Sequence, residues 1–181
     1  MLRISGGYLR NRRISVRNKS VRPTSEVVRQ SIFNFIDVSN ALFLDLFCGS
    51  GIVGIEAISR GAKFVCFVDN NPSLIKQLKS NLISLQIPQE GYRVICSSWE
   101  RGIDILRNEG ESFDLIFVDP FYDFADYRKV ITLSSHILKR GGTIVLEHSS
   151  RKSLEVPSGF EIAFSRAYGE TEVLLLRMLQ P

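Results

Sequence analysis

Apolar and polar positions along this 181-residue chain change period several times. From Glu26 the period is helical, with apolar positions 28, 32, 35 and 36 on one face and Thr24 or Ser25 as the N-cap. Near-continuous apolar runs then alternate with helical stretches. Ala41–Leu46 ends in a glycine turn, and a helix is expected over Ile52–Ser59. Phe64–Val68 is a second run, followed by a helix from Pro72 to about Leu85 with proline in its first turn. Tyr92–Cys96 precedes a helix near Arg101–Arg107. Phe113–Val118 precedes a helix over Tyr127–Leu138, which Gly141-Gly142 is expected to end, and Thr143–Glu147 is the fifth run. Strands apolar throughout, separated by helices, specify a parallel sheet covered on both faces. The tail breaks the rhythm: Phe160–Ala167 and Glu172–Leu179 read as two strands joined by Tyr168-Gly169-Glu170, with no helix between. The expected fold is α/β, with five parallel strands and a C-terminal antiparallel hairpin making seven, flanked by helices.

Charge adds a second division. Of 23 basic residues, seven (Arg3, Arg10, Arg12, Arg13, Arg17, Lys19, Arg22) fall in residues 1–22 beside no acid, leaving 16 against 19 acids, a net of −3. A basic arm on a mildly acidic body points to a polyanion partner. The arm also carries Ile4, Tyr8, Leu9, Ile14 and Val16 around Gly6-Gly7, the pattern of a β-hairpin. We therefore divide the chain into a basic N-terminal hairpin, residues 1–22, and a main domain, residues 23–181. No apolar run approaches the roughly 20 residues that span a bilayer, and no secretory leader pattern opens the chain. Cys48, Cys66 and Cys96 sit in apolar strings and are expected as buried free thiols of a reducing, cytoplasmic setting. With only His136 and His148 besides, no metal site is expected.

The segment Asp45-Leu46-Phe47-Cys48-Gly49-Ser50-Gly51-Ile52-Val53-Gly54 joins the first strand to the next helix. Its G-x-G-x-x-G spacing alone is weak evidence for a dinucleotide, since a tight strand-to-helix turn needs glycine whatever it binds. Asp45 tilts the choice. A carboxylate at that strand end would repel a pyrophosphate and suits a cationic, amine-bearing nucleoside such as S-adenosylmethionine. Asp69, with Asn70 beside it, ends the second strand and is placed to accept ribose hydroxyls. Ser98 and Trp99 would line the adenine side.

The fourth strand ends in Asp119-Pro120-Phe121-Tyr122, which resembles the signature of exocyclic-amine methyltransferases: Asp or Asn, two prolines, then an aromatic. An exocyclic amine shares its lone pair with the ring and is a poor nucleophile. Acceptors at Asp119 and the Pro120 carbonyl would favour a tetrahedral nitrogen, and Tyr122 offers a stacking face worth about 1–3 kcal/mol. Phe121 departs from the usual second proline.

Resemblance extends further through Arg3-Ile4-Ser5-Gly6-Gly7-Tyr8-Leu9-Arg10, Arg22-Pro23-Thr24, Phe33-Asn34, Gly49-Ser50-Gly51, Gly54-Ile55-Glu56-Ala57 and the tail Tyr168-Gly169-Glu170-Thr171. Together these are similar to the bacterial 16S rRNA guanine-N2 methyltransferase family. The resemblance implies a Rossmann-like class I methyltransferase sheet with S-adenosylmethionine as cofactor. It implies 16S rRNA or the assembling small subunit as partner, and a monomer. On this reading Asp119, Pro120 and Tyr122 are catalytic, and Thr24, Asp45, Phe47, Gly49, Ser50, Gly51, Asp69, Asn70, Ser98, Trp99 and Asp119 meet the cofactor. Arg3, Arg10, Arg12, Arg13, Arg22 and Tyr122 meet RNA. Three alternatives stand beside it. A DNA adenine-N6 methyltransferase would share the tetrapeptide but normally carries a separate target-recognition region. An RNA-binding assembly factor that has lost catalysis has Phe121 as its support. A nucleotide-dependent oxidoreductase is disfavoured by Asp45 and the terminal hairpin.

Overall fold

A computed structural model describes residues 1–16, 24–121, 123–152 and 154–179. Arg17, Lys19, Arg22, Pro23 and Tyr122, each singled out above, lie outside the described residues. The chain opens with a hairpin of β1 (Leu2–Arg3) and β2 (Arg13–Ile14), and α1 (Glu26–Phe35) follows. Then come β3 (Leu42–Asp45), α2 (Ile52–Ser59), β4 (Phe64–Asp69), α3 (Pro72–Ser84), β5 (Tyr92–Cys96), α4 (Trp99–Asn108), β6 (Phe113–Val118), α5 (Tyr127–Ser135) and β7 (Leu138–Ser149). The chain closes with β8 (Phe160–Tyr168) and β9 (Thr171–Met178).

Seven strands form one sheet in the order β5-β4-β3-β6-β7-β9-β8. The first five are parallel, and β9 inserts antiparallel between β7 and β8. This is the expected α/β sheet with its terminal hairpin. Alternate strand residues feed two cores: Phe43, Val65, Phe67 and Phe117 pack under α1, α2 and α3, while Leu44, Cys66, Val68 and Ile116 pack under α4 and α5. A strand buried on both faces has no solvated side, which is why its sequence shows no alternation.

Three expectations are corrected. The buried face of α1 is Val28, Arg29, Ile32 and Phe33. Phe35 lies outside it, 49% exposed and stacked on Phe164, and Ile36 is the C-cap. The shift follows from Arg29, a charged residue that an apolar-face reading passes over, buried because Glu56 meets it from α2. Gly141-Gly142 does not end α5. The helix stops at Ser135, and β7 already pairs at Leu138 with Phe113. The glycines lie in a bulge that lets β7 re-register against β6 at Thr143, Gly141 with φ of 76°. Cys48 and Cys66 are buried free thiols, but Cys96 is exposed, at the end of the edge strand β5 where no further strand covers it.

The basic hairpin is seated on the domain. Ile4, Leu9 and Ile14 are in the core. The Ser59 hydroxyl donates to the Gly6 carbonyl (2.6 Å) and accepts from the Leu9 amide (2.8 Å). Asn81 of α3 both donates to and accepts from the Ser15 backbone.

Candidate functional site

The order of the parallel strands reverses between β3 and β6, and a crevice opens outside their carboxyl ends. A cavity of about 580 Å³ occupies it, within the range of small-molecule sites. Its walls carry Thr24, Asp45, Phe47, Gly49, Ser50, Asp69, Asn70, Trp99, Asp119 and Pro120 together, so ends of four parallel strands meet there.

The loop after β3 is built from unusual backbone. Phe47 has φ of 142°, a left-handed value that costs of order 1–3 kcal/mol for a residue with a side chain. Its ring is packed near Phe124 (centroids 5.4 Å) and Trp99 (6.2 Å), which holds it there. Gly51, with φ of 75°, caps α2, and a Cβ on it would lie 2.3 Å from Leu78 Cδ1. Only glycine fits the turn.

Asp45 at the end of β3 is 2% exposed, and its Oδ2 accepts from the Gly54 amide at 2.9 Å. Burial pushes its carboxyl up to about 7 against that hydrogen bond, and the charges of Asp119 and Asp69 push the same way. Asp69 clasps the loop, its Oδ2 accepting from the Gly49 amide and its Oδ1 from Asn71, both at 2.8 Å. Each carboxylate oxygen has a second lone pair to offer a ligand hydroxyl. Asp119 follows β6, and the Thr24 hydroxyl donates to its Oδ2 at 2.9 Å. Thr24 thus touches the carboxylate as well as bordering the cavity, while Ser25 is the N-cap of α1.

Two of the described cofactor-side residues do not line the cavity: Gly51, which caps α2, and Ser98. The Ser98 hydroxyl accepts from the Arg101 amide and caps α4, and Ser97 lines the cavity instead. Trp99 does reach the wall, with the Lys129 ammonium 5.3 Å from its ring centre. The wall also includes Tyr127, Glu147, His148, Tyr168, Glu170 and Thr171, which the sequence reading passed over as site residues. A signal was available for two of them: Glu147-His148 lie near the carboxyl end of β7, on the same side of the sheet as the strand-end carboxylates Asp45 and Asp119. Burial, with the charges of Asp119 and Glu147, pushes the Tyr127 hydroxyl up to about 12, so it stays a donor at neutral pH.

Among the described lining residues five are acidic and none is Lys or Arg. Such a wall repels phosphates and attracts a cation. Phe121 stands at the rim, 67% exposed, edge-on to the buried Phe124 at 5.6 Å. No cluster of metal-ligating side chains occurs among the described residues.

On the hairpin, Arg10 and Arg13 are exposed. Arg12 donates to the Ser84 carbonyl at the end of α3, and Arg3 pairs with Glu26 at 2.5 Å. The basic residues are therefore presented from a fixed platform, two of them already engaged with the body.

Residues 2–177 match the family described as Conserved hypothetical protein 95. The chain is similar to Ribosomal RNA small subunit methyltransferase D of Haemophilus influenzae, 32% identical over 93% of this chain and 89% of that protein. The protein of the same name from Buchnera aphidicola is 31% identical over 88% and 84%. A solved structure of a hypothetical protein from Thermus thermophilus superposes with a TM-score of 0.82 at 30% identity, covering 97% of this chain and 98% of that one.

Proposed function

The chain belongs to the Conserved hypothetical protein 95 family, and from its cavity and its relatives named as small-subunit rRNA methyltransferases we propose that it methylates the exocyclic N2 amine of a guanine in small-subunit rRNA. The observation that carries the chemistry is the acid-lined cavity with Asp119-Pro120 at its edge. The residues fit S-adenosylmethionine: Asp45 and the glycine loop face its cationic part, Asp69 and Asn70 its ribose, Trp99 its base. That cofactor supplies an electrophilic sulfonium methyl.

This chain's own residues prepare the nucleophile. Asp119 and the Pro120 carbonyl accept the two amine hydrogens and turn the nitrogen lone pair out of conjugation with the ring. The Thr24 hydroxyl holds one Asp119 oxygen at 2.9 Å, so the carboxylate keeps its direction. No strong general base is needed, because the amine proton becomes acidic once the methyl is added. Positioning and fixed dipoles carry the rate. The RNA is met by the basic N-terminal arm, residues 1–22, the methyl by residues 23–181. Among the described residues no helix is long and apolar enough to cross a membrane, and an rRNA substrate implies a cytoplasmic enzyme. Guanine, in preference to adenine, rests on the resemblance of the sequence to the 16S rRNA guanine-N2 methyltransferase family and not on the tetrapeptide, which would serve either amine.

The test is transfer of labelled methyl to small-subunit RNA or partly assembled subunits from cells lacking the enzyme, with N2-methylguanine identified by nucleoside mass analysis. Asp119→Ala is expected to abolish transfer while cofactor affinity stays nearly intact. Label on adenine, or on DNA alone, overturns the substrate assignment.

A further inference from the structure

Arg29 is among the largest fully buried side chains, at 1% exposure. A guanidinium withdrawn this far from water persists only when its donors are answered. Here they go to three different elements. Nε donates to Glu56 Oε2 of α2 (3.1 Å), Nη1 to the Thr24 carbonyl (2.6 Å) and Nη2 to the Arg3 carbonyl of the hairpin (2.7 Å). Glu56, fully buried itself, takes Arg60 on Oε1 at 2.9 Å and also accepts from the Ser5 hydroxyl. Thr24, held by its carbonyl, passes its hydroxyl to Asp119.

A continuous hydrogen-bonded path therefore runs from the hairpin, through one guanidinium, to the carboxylate at the cavity edge. An ion pair that served stability alone could be replaced by apolar groups of equal volume. It would not need a planar fork aimed at two backbone carbonyls on opposite sides, which an ammonium cannot reproduce. We propose that Arg29 is a positioning residue that fixes the direction of the Asp119 carboxylate through Thr24 and ties it to the seating of the N-terminal hairpin. Its kinetic consequence rests on the methyl-transfer reading, while the path itself rests on the hydrogen bonds. Engagement of RNA by the hairpin and orientation of the amine acceptor are then coupled in one array.

The experiment compares Thr24→Val, Thr24→Ser, Arg29→Lys and the Thr24→Val/Arg29→Lys double variant, well below their melting temperatures, by kcat, KM and amide NMR spectra of the free proteins. Thr24→Val is expected to lower kcat about 10- to 100-fold, as for a misplaced catalytic group, with KM for RNA unchanged within about 2-fold. Thr24→Ser restores the rate. Arg29→Lys lowers kcat comparably and displaces the Asp119 and Phe121 amide resonances. The double variant falls no further than the worse single one, because both cut the same path. A folded Arg29→Lys with undiminished kcat and unmoved resonances makes the residue a structural pair and overturns the proposal, as do losses that multiply in the double variant. Wild-type protein that transfers nothing to small-subunit RNA would instead remove the substrate reading. The NMR comparison then decides the path alone, unmoved resonances overturning it and displaced ones supporting it.

Discussion

Replacing Asp45 by asparagine tests the electrostatics of the cavity floor most directly. The carboxyl is buried and titrates at about 7, against 3.8 for its ordinary value. Between those pH values the folded protein holds a proton that the unfolded chain has released. Stability contributed by this group is therefore full below about 4, falls as pH rises, and is flat above about 7. A shift of about 3 units corresponds to about 4 kcal/mol lost across the window. With Asp45 2% exposed, solvent screening does not reduce this figure appreciably. Asparagine is nearly isosteric and can still accept from the Gly54 amide through Oδ1, so the loop has no reason to move. The assay is urea unfolding of both proteins, without cofactor, from pH 4 to 8. Other titrating groups cancel in the difference between variant and wild type, which is expected to climb in the variant's favour by up to about 4 kcal/mol and then level off. S-adenosylmethionine affinity is expected to move oppositely, rising with pH to about 7 in the wild type and falling to a lower, flatter value in the variant. A stability difference that stays constant from pH 4 to 8 refutes the argument, because Asp45 would then titrate alike in both states.

Two further outcomes follow from the surface. Charge reversal at Arg10 and Arg13 is expected to weaken RNA binding and lower the slope of log affinity against log salt by roughly 0.7–0.9 for each phosphate no longer neutralised; an unchanged slope removes the hairpin from the interface. Phe121→Ala, at a ring 67% exposed on the cavity rim, is expected to raise KM for RNA by about 5- to 150-fold, the equivalent of one base stack. Its melting temperature should hardly move, and a tyrosine there should restore affinity. An alanine variant with unaltered KM shows that the ring does not meet the nucleotide.

Much of the fold was legible because the sheet is buried on both faces. Runs such as Phe64–Val68 and Phe113–Val118, short, rich in Val and Phe and set between helical stretches, read as central strands, and the missing helix before Thr171 announced the antiparallel close. The helix face around Arg29 was not legible, since a guanidinium counts as polar until Glu56 is known to stand opposite. Likewise Gly141-Gly142 carries the same local signal in a helix stop as in a bulge. Only the register of β7 on Phe113 and Leu115 distinguishes them.

At the site, Asp45, the glycine loop, Asp69 and Asp119-Pro120 could be read directly from the chain. Each is required by local geometry at the end of a strand, and strand ends follow from short-range pattern. What joins these groups emerged only with the packing of the elements. The bond from Thr24 to Asp119 spans 95 residues and that from Arg29 to Arg3 links an α-helix to a hairpin, while Ser98 turned from the cavity to cap its own helix. Such contacts depend on how rigid elements meet in space, and no periodicity along the chain records that distance.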